Sequence, residues 1–367
     1  MQPGGFSGRI RGSLATDGQR NDLNKFMKVL GRSAGLFVLG LWLAWTALTL
    51  FYSNWQPAGL RTGLTIAYVA LLVEIAIRVK TRKRKLQWIV ACGAVLTVSY
   101  VLLRPSNDRE WQDDTAVAAR CSVEGDQVTI RGVRNFAYRS VDDYDIRWED
   151  RTYDLSKLET LDLFMSYWGP VAYCHTILSF GFSDGKRLAA SIEVRKEIGE
   201  EFSTYGGFFK MFELSYVFAD ERDLIGLRTN HRKEDVYLYR LRAEPGRLRE
   251  VFLSYLRFAD ELAEKPQFYD VIRNSCGVNI LQRIAESGEV PWGAKEALLN
   301  GYWDQSMYRR GAINRELSFS ELRKVSHINT RAEKDGVSEN FSEAIRVGLP
   351  PAPPPRSQES TPDSSGN

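Results

Sequence analysis

The first hundred residues alternate long apolar runs with short connectors. Runs at 35–51, 62–79 and 87–103 are almost free of charge, and each approaches the ~20 residues that a helix needs to cross a ~30 Å hydrocarbon layer. Three such runs in close order predict three transmembrane helices rather than buried helices of a globular core. The first run follows 33 mostly polar residues and has no small-residue cleavage site behind it, so a retained span is expected, not a cleaved leader.

Beyond residue 103 the pattern shortens. "LLRPSNDREWQDD" reads as a polar linker out of the third span. "QVTIRGV", "YDLSKLETLDLFMSYW", "ELSYVFA" and "EDVYLYRLRA" predict strands, with a charged turn after the third and with Val236, Leu238 and Arg240 sharing a face of the last. From Pro245 the period changes. Leu248, Val251, Phe252, Tyr255, Leu256, Ala259 and Leu262 fall on one helical face that ends before Pro266. "SCGVNILQRIAESG" predicts a second helix with Val278, Leu281, Ile284 and Ala285 inward and Gly288 closing it. Further helices are expected at 293–309 and 318–325, and the Pro- and Ser-rich tail 349–367 is expected to be disordered. The organisation is thus a basic segment (1–33), three transmembrane helices (34–103), an outer α+β domain (104–348) and the tail.

Charge adds direction. Residues 1–103 hold 13 Lys/Arg against 3 Asp/Glu, and the remainder holds 36 against 43. The overall +3 therefore gives no nucleic-acid signal. Six basic residues precede the first span and "RVKTRKRK" separates the second from the third, whereas 53–61 carries one Arg. Positive loops stay cytoplasmic, which predicts a cytoplasmic N-terminus and, after an odd number of spans, an outer domain on the far side. Glu74, inside the second span, is expected to snorkel toward Arg78 or Lys80. Cys92 falls in the membrane, and Cys121, Cys174 and Cys276 fall outside it. An odd number there leaves at least one thiol unpaired or paired between molecules. No Cys/His spacing suggests a metal, and no cofactor is expected.

The segment 173–197, "YCHTILSFGFSDGKRLAASIEVRKE", reads as a hairpin about the turn "SDG". A three-residue loop with Gly185 in the left-handed position pairs Phe180 with Leu188 and Leu178 with Ala190 on an apolar face. The same count puts Ile177 opposite Ser191 and His175 opposite Glu193, at the ~5 Å Cβ separation of cross-strand partners. Cys174, adjacent to His175, points to the other side. A His–Glu pair of this kind either orients a catalytic imidazole or is simple surface electrostatics. His231, in a charged turn, is expected to be solvated, and His327 to serve as a cation at a helix C-terminus. In "RNSCGVNILQRI", Asn274 or Ser275 is a good N-cap and Cys276 falls in the first helical turn, where the helix end favours thiolate or receives an oxyanion. Alone, such a cysteine is more often a small buried apolar residue. Together, Cys276, His175 and Glu193 supply nucleophile, base and orienting acid for acyl transfer, in the chain order of a circularly permuted papain-like site.

"RPSNDREW", "RWEDRTYDLSKL", "SYWGP", "CHTILSFGFSDGKRLAASIEVRKEIGEEFS", "YVFADERDLIGLRTN", "DVYLYRLR" and "FSEAIRVGLP" resemble the Lnb N-terminal periplasmic domain family, bacterial membrane proteins named after the lipoprotein intramolecular transacylase. The resemblance spans roughly 104–350. It implies a bacterial inner-membrane setting with the main domain in the periplasm, and it matches His175, Glu193 and Cys276 to the family's histidine, acid and cysteine. Where the family pattern reads Asn-Cys-Thr-Thr-Asn, this chain has Ser275-Cys276-Gly277-Val278-Asn279. The expected function is a membrane-tethered thiol acyltransferase or hydrolase, with the bilayer as partner and a lipoprotein or lipid acyl group as substrate. A peptidoglycan amidase or peptidase, and a non-catalytic envelope interaction module, are the alternatives.

Overall fold

The computed structural model describes residues 17–55, 57–286 and 298–355. Three apolar helices come first: α1 (Asp17–Phe51), α2 (Ala58–Arg78) and α3 (Arg82–Leu102). Each is long and apolar enough to cross a membrane. Helix α1 begins well before the apolar run, so the basic residues from Asp17 onward are already helical. Residues 1–16 lie outside the described residues. Glu74 pairs with Arg78 at 3.1 Å, one turn on, as expected of a snorkelling acid. Backbone contacts divide the chain into one unit of 1–51 with 59–102 and another of 52–58 with 103–367.

The second unit is mixed α+β. Its strands are β1 (Arg120–Glu124), β2 (Gln127–Arg134), β3 (Ala137–Tyr138), β4 (Tyr144–Asp145), β5 (Trp148–Asp154), β6 (Leu158–Tyr167), β7 (His175–Phe182), β8 (Arg187–Arg195), β9 (Glu213–Ala219) and β10 (Asp235–Leu241). Sheet order is β1-β2-β9-β8-β7-β6-β10, with β5 also paired to β2 and β3–β4 forming a separate ribbon. The β1–β2 hairpin turns at Gly125 in the left-handed region (φ 64°). Its first strand, mostly exposed, has no apolar alternation to reveal it in the sequence.

The β7–β8 hairpin has the register set by its apolar pattern. Phe180 faces Leu188, Leu178 faces Ala190 and Ile177 faces Ser191, and Gly185 takes φ 85° in the turn. Both faces of the sheet are covered. On one, Leu178, Phe180, Leu188 and Ala190 pack under helix α5 (Pro245–Glu264), whose seven expected residues are all buried. On the other, Ile177, Ala189, Val236 and Leu238 form a second core closed by the chain's last helical segments.

The expected charged turn after β9 is instead helix α4 (Glu221–Gly226), continued by one π-helical turn, Leu227–His231. Its charges are buried in ion pairs rather than solvated: Asp223 takes Arg134 at 2.6 Å and Glu221 takes Arg346 at 2.5 Å. Tertiary partners override the polar reading of "DERD". His231 accordingly ends half-buried against Tyr138, whereas His327 stands at the C-cap position of a helix with its ring 3.2 Å from Asp235 Oδ1. Of the helix expected at 293–309, Trp303–Arg309 is helical and 287–297 lies outside the described residues, as does Gly288. Residues 356–367 of the tail do too.

Candidate active site

Helix α6 (Cys276–Glu286) begins at the cysteine itself. The Ser275 carbonyl accepts the first intrahelical bond, from Asn279 N–H at 2.9 Å, so Cys276 occupies the first helical position. The buried face differs from the apolar stripe in the sequence. Gly277, Asn279, Ile280 and Arg283 are buried, Val278, Leu281 and Ile284 are partly so, and Ala285 is exposed. Two polar residues face inward because each finds a partner. Asn279 accepts from the Tyr216 hydroxyl at 3.1 Å, and Arg283 stacks on Phe258 at 4.2 Å.

The β7–β8 ladder ends at Ile177↔Ser191, and its register continued by two residues sets His175 across from Glu193. The imidazole Nε2 lies 2.7 Å from Ser191 Oγ and 3.2 Å from Glu193 Oε1. The Ser191 hydroxyl donates in turn to Glu193 Oε1 at 2.6 Å. Nε2 is therefore the protonated nitrogen, held by a carboxylate and a hydroxyl on one strand face. Arg228, from the π-helical turn, donates to the same carboxylate oxygen at 3.1 Å. A π-helical turn reaching into such a site is a recurrent functional feature.

Electrostatics follow from this placement. Burial would raise the Cys276 thiol, but the hydrogen-bonding contact and positive charge of His175 reverse that, and the Thr176 amide and hydroxyl add to the lowering. Burial would lower His175. Glu193 overrides it against the opposing charge of Arg228 and, with the thiol contact, lifts the imidazole to about 9. Burial opposes ionisation of Glu193 too, yet His175 and Arg228 hold it well below 4.5. Together these shifts favour a thiolate–imidazolium pair backed by a carboxylate. The Thr176 hydroxyl is fully buried without a hydrogen-bond partner of good geometry, beside the sulfur.

Asn300 completes the surroundings. Its carboxamide clamps the Cys174 backbone, accepting from N–H at 3.1 Å and donating to C=O at 2.7 Å. The same Nδ2 lies 3.7 Å from Cys276 Sγ. Cys174 itself points away from His175 into the core, its thiol pushed up by burial first and then by Cys276. All four cysteines are free thiols, so Cys121 and Cys174 are not bonded to each other. Among the described residues no group of three or more His, Cys, Asp or Glu is placed to hold a metal.

The fold thus gathers the three residues singled out from the sequence and adds Ser191, Arg228, Thr176 and Asn300. Arg228 had one legible signal, a cation set among buried-type residues in "DLIGLRTN". Asn300 had none beyond an Asn-Gly turn pair.

Residues 144–298 match the Lnb N-terminal periplasmic domain family. The match holds His175, Glu193, Arg228 and Cys276 within the Lnb-type segment, leaves Asn300 just beyond it, and covers less than half of the chain. No curated protein and no solved structure matches. The Lnb-type segment and the three apolar helices together fit an inner-membrane protein with a periplasmic domain.

The role of Asn300 is open to a direct check. Asn300→Asp keeps the shape but sets a carboxylate where the amide stood beside the sulfur. Iodoacetamide labelling of Cys276 against pH is expected to rise at higher pH than in the unaltered protein. Asn300→Ala leaves two buried backbone groups of Cys174 unpaired and is expected to cost about 1–3 kcal/mol each, read by chemical denaturation.

Proposed function

We propose that this protein is a thiol acyltransferase or hydrolase acting at the outer face of the inner membrane, with its N-terminus cytoplasmic and residues 104–348 as the periplasmic domain. One observation carries the reading: Cys276 at a helix start, beside an imidazole that a half-buried carboxylate keeps protonated. In this scheme the Cys276 thiolate attacks an ester or amide carbonyl. The carbonyl electrons move to oxygen, where the free N–H groups of the first turn of α6 and the Asn300 amide are at hand. As the tetrahedral adduct collapses, His175 gives its proton to the leaving alcohol or amine, and an acyl-thioester remains on Cys276. His175, now neutral, takes a proton from the incoming amine or water, and the thiolate is regenerated. Glu193 fixes the imidazole and stabilises its cation; Ser191 and Arg228 fix Glu193. The strand-then-helix order of these groups resembles a circularly permuted papain-like site.

Substrate class is the finer part of the reading. Three apolar helices tether the domain to a bilayer, which favours a lipoprotein or lipid acyl group over a peptidoglycan peptide. The test is to incubate the full chain in nanodiscs with a diacylated lipopeptide and, separately, with muropeptides. A hydroxylamine-sensitive acyl mass on Cys276, absent in Cys276→Ser, is the expected result. Peptide release from muropeptides instead would make the protein a peptidase. If neither reaction depends on Cys276, the domain is a binding module and the catalytic reading fails.

A further inference from the structure

The loop from β8 to β9, residues 196–212, carries four large apolar side chains into solvent: Ile198 (64% exposed), Phe202, Tyr205 (68%) and Phe208. Isolated exposed apolar residues are ordinary, but four on one loop beside a reactive thiol are not. The loop reaches that thiol through the segment leading into α6. Val271 N–H donates to the Gly207 carbonyl, and a Cβ at Gly207 would meet Val271 and Tyr269. Trp168 and Tyr173, close in sequence to Cys174, are exposed as well.

The loop packs on the chain segments next to the apolar helices. Its base is bonded to the segment that emerges from α3: Gln112 N–H donates to Lys196 O, Ile198 N–H donates to Glu110 O, and Arg109 pairs with Glu197 at 2.5 Å. Its tip stacks on Tyr52, which directly follows the last residue of α1, with ring centroids 5.5 Å apart for Phe209 and 6.3 Å for Tyr205. Lys210 in the same loop feels the charge of Arg104, two residues past α3. Loop contacts therefore fall within a few residues of where two apolar helices end. Aromatic rings flanked by Arg and Lys, so few residues from the end of an apolar helix, suit the headgroup boundary of a bilayer.

We propose that the β8–β9 loop is a lipid-contact surface, with Ile198, Phe202, Tyr205 and Phe208 seated in the bilayer interface. The proposal rests on α1–α3 being membrane spans and not on the thiol chemistry, so the two fail separately. The occupant is the bilayer surface itself.

The test reads depth rather than activity. In the full chain carrying Cys92→Ala, Cys121→Ala and Cys276→Ser, with buried Cys174 kept, a nitroxide is attached at Ile198→Cys, at Tyr205→Cys or, on the edge strand β1, at Val123→Cys. Each is reconstituted in nanodiscs of phosphatidylethanolamine and phosphatidylglycerol, and relaxation by oxygen is compared with relaxation by a water-soluble nickel chelate. A several-fold higher oxygen-to-nickel ratio at 198 and 205 than at 123 is expected. Equal ratios at all three mean that the loop lies in water, and overturn the proposal. Shielding from both agents at 198 and 205 means that protein, such as a second copy of the chain, covers the loop, and overturns it equally.

Discussion

Replacing His175 by Ala is expected to slow iodoacetamide alkylation of Cys276 at pH 7 roughly tenfold or more, because an unperturbed thiol is only a few per cent thiolate there. His175 supplies the main effects that lower the Cys276 thiol, and burial pulls the other way. Once the imidazole is gone, burial dominates and the thiol rises. The alkylation profile against pH should therefore shift to higher pH. The intact protein has a second signature. Thiolate persists as pH rises through about 9, while the imidazolium loses its proton there. Alkylation should stay level across that range and acyl transfer should fall, because only transfer needs the acid. Glu193→Gln should lie between the two, since the Glu193 charge is what lifts His175 against burial. An unchanged rate and profile in His175→Ala would remove the pair from the mechanism.

Arg346→Ala is expected to destabilise the second unit by about 3–5 kcal/mol, the usual cost of stripping the partner from a buried charge. At the sensitivity of a domain of this size, that is a fall of about 10 °C in Tm. Arg346 donates to Asp162 at 2.9 and 2.7 Å and to Glu221 at 2.7 and 2.5 Å. Both carboxylates are buried, and once Arg346 is lost Asp162 keeps only the longer pairs to Arg187 at 3.5 Å and Arg240 at 3.9 Å. The sign with pH is fixed by Glu221, which burial would raise but the charge of Arg346 holds below 4.5. Its contribution is present above pH 4.5 and is lost as pH falls through the depressed value. The gap between variant and intact protein should therefore narrow in acid. Neutralising the cluster together, as Asp162→Asn, Glu221→Gln and Arg346→Met, should recover part of the loss. A shift of less than a few degrees in Arg346→Ala, measured by thermal denaturation, would mean that the C-terminal segment does not clamp the sheet.

Much of this protein is written in local pattern. Three nearly charge-free runs mark the apolar helices, since a bilayer leaves a chain little choice but helix. The β7–β8 register could be counted from the turn and the apolar face, because one slipped residue would send Phe180 and Leu178 to the wrong side. That count brought His175 to Glu193, and N-cap chemistry set Cys276 at a helix start. Tertiary structure decided the rest. The orientation of α6 depended on Tyr216 and Phe258 satisfying Asn279 and Arg283, partners more than twenty residues away. The helix at "DERD" depended on Arg134 and Arg346, far off in both directions, making buried acids tolerable. Arg228 and Asn300 entered the site only through folding. Periodicity records which face of an element is apolar, but a buried polar group is stable only with its partner, and that partner is named by the fold.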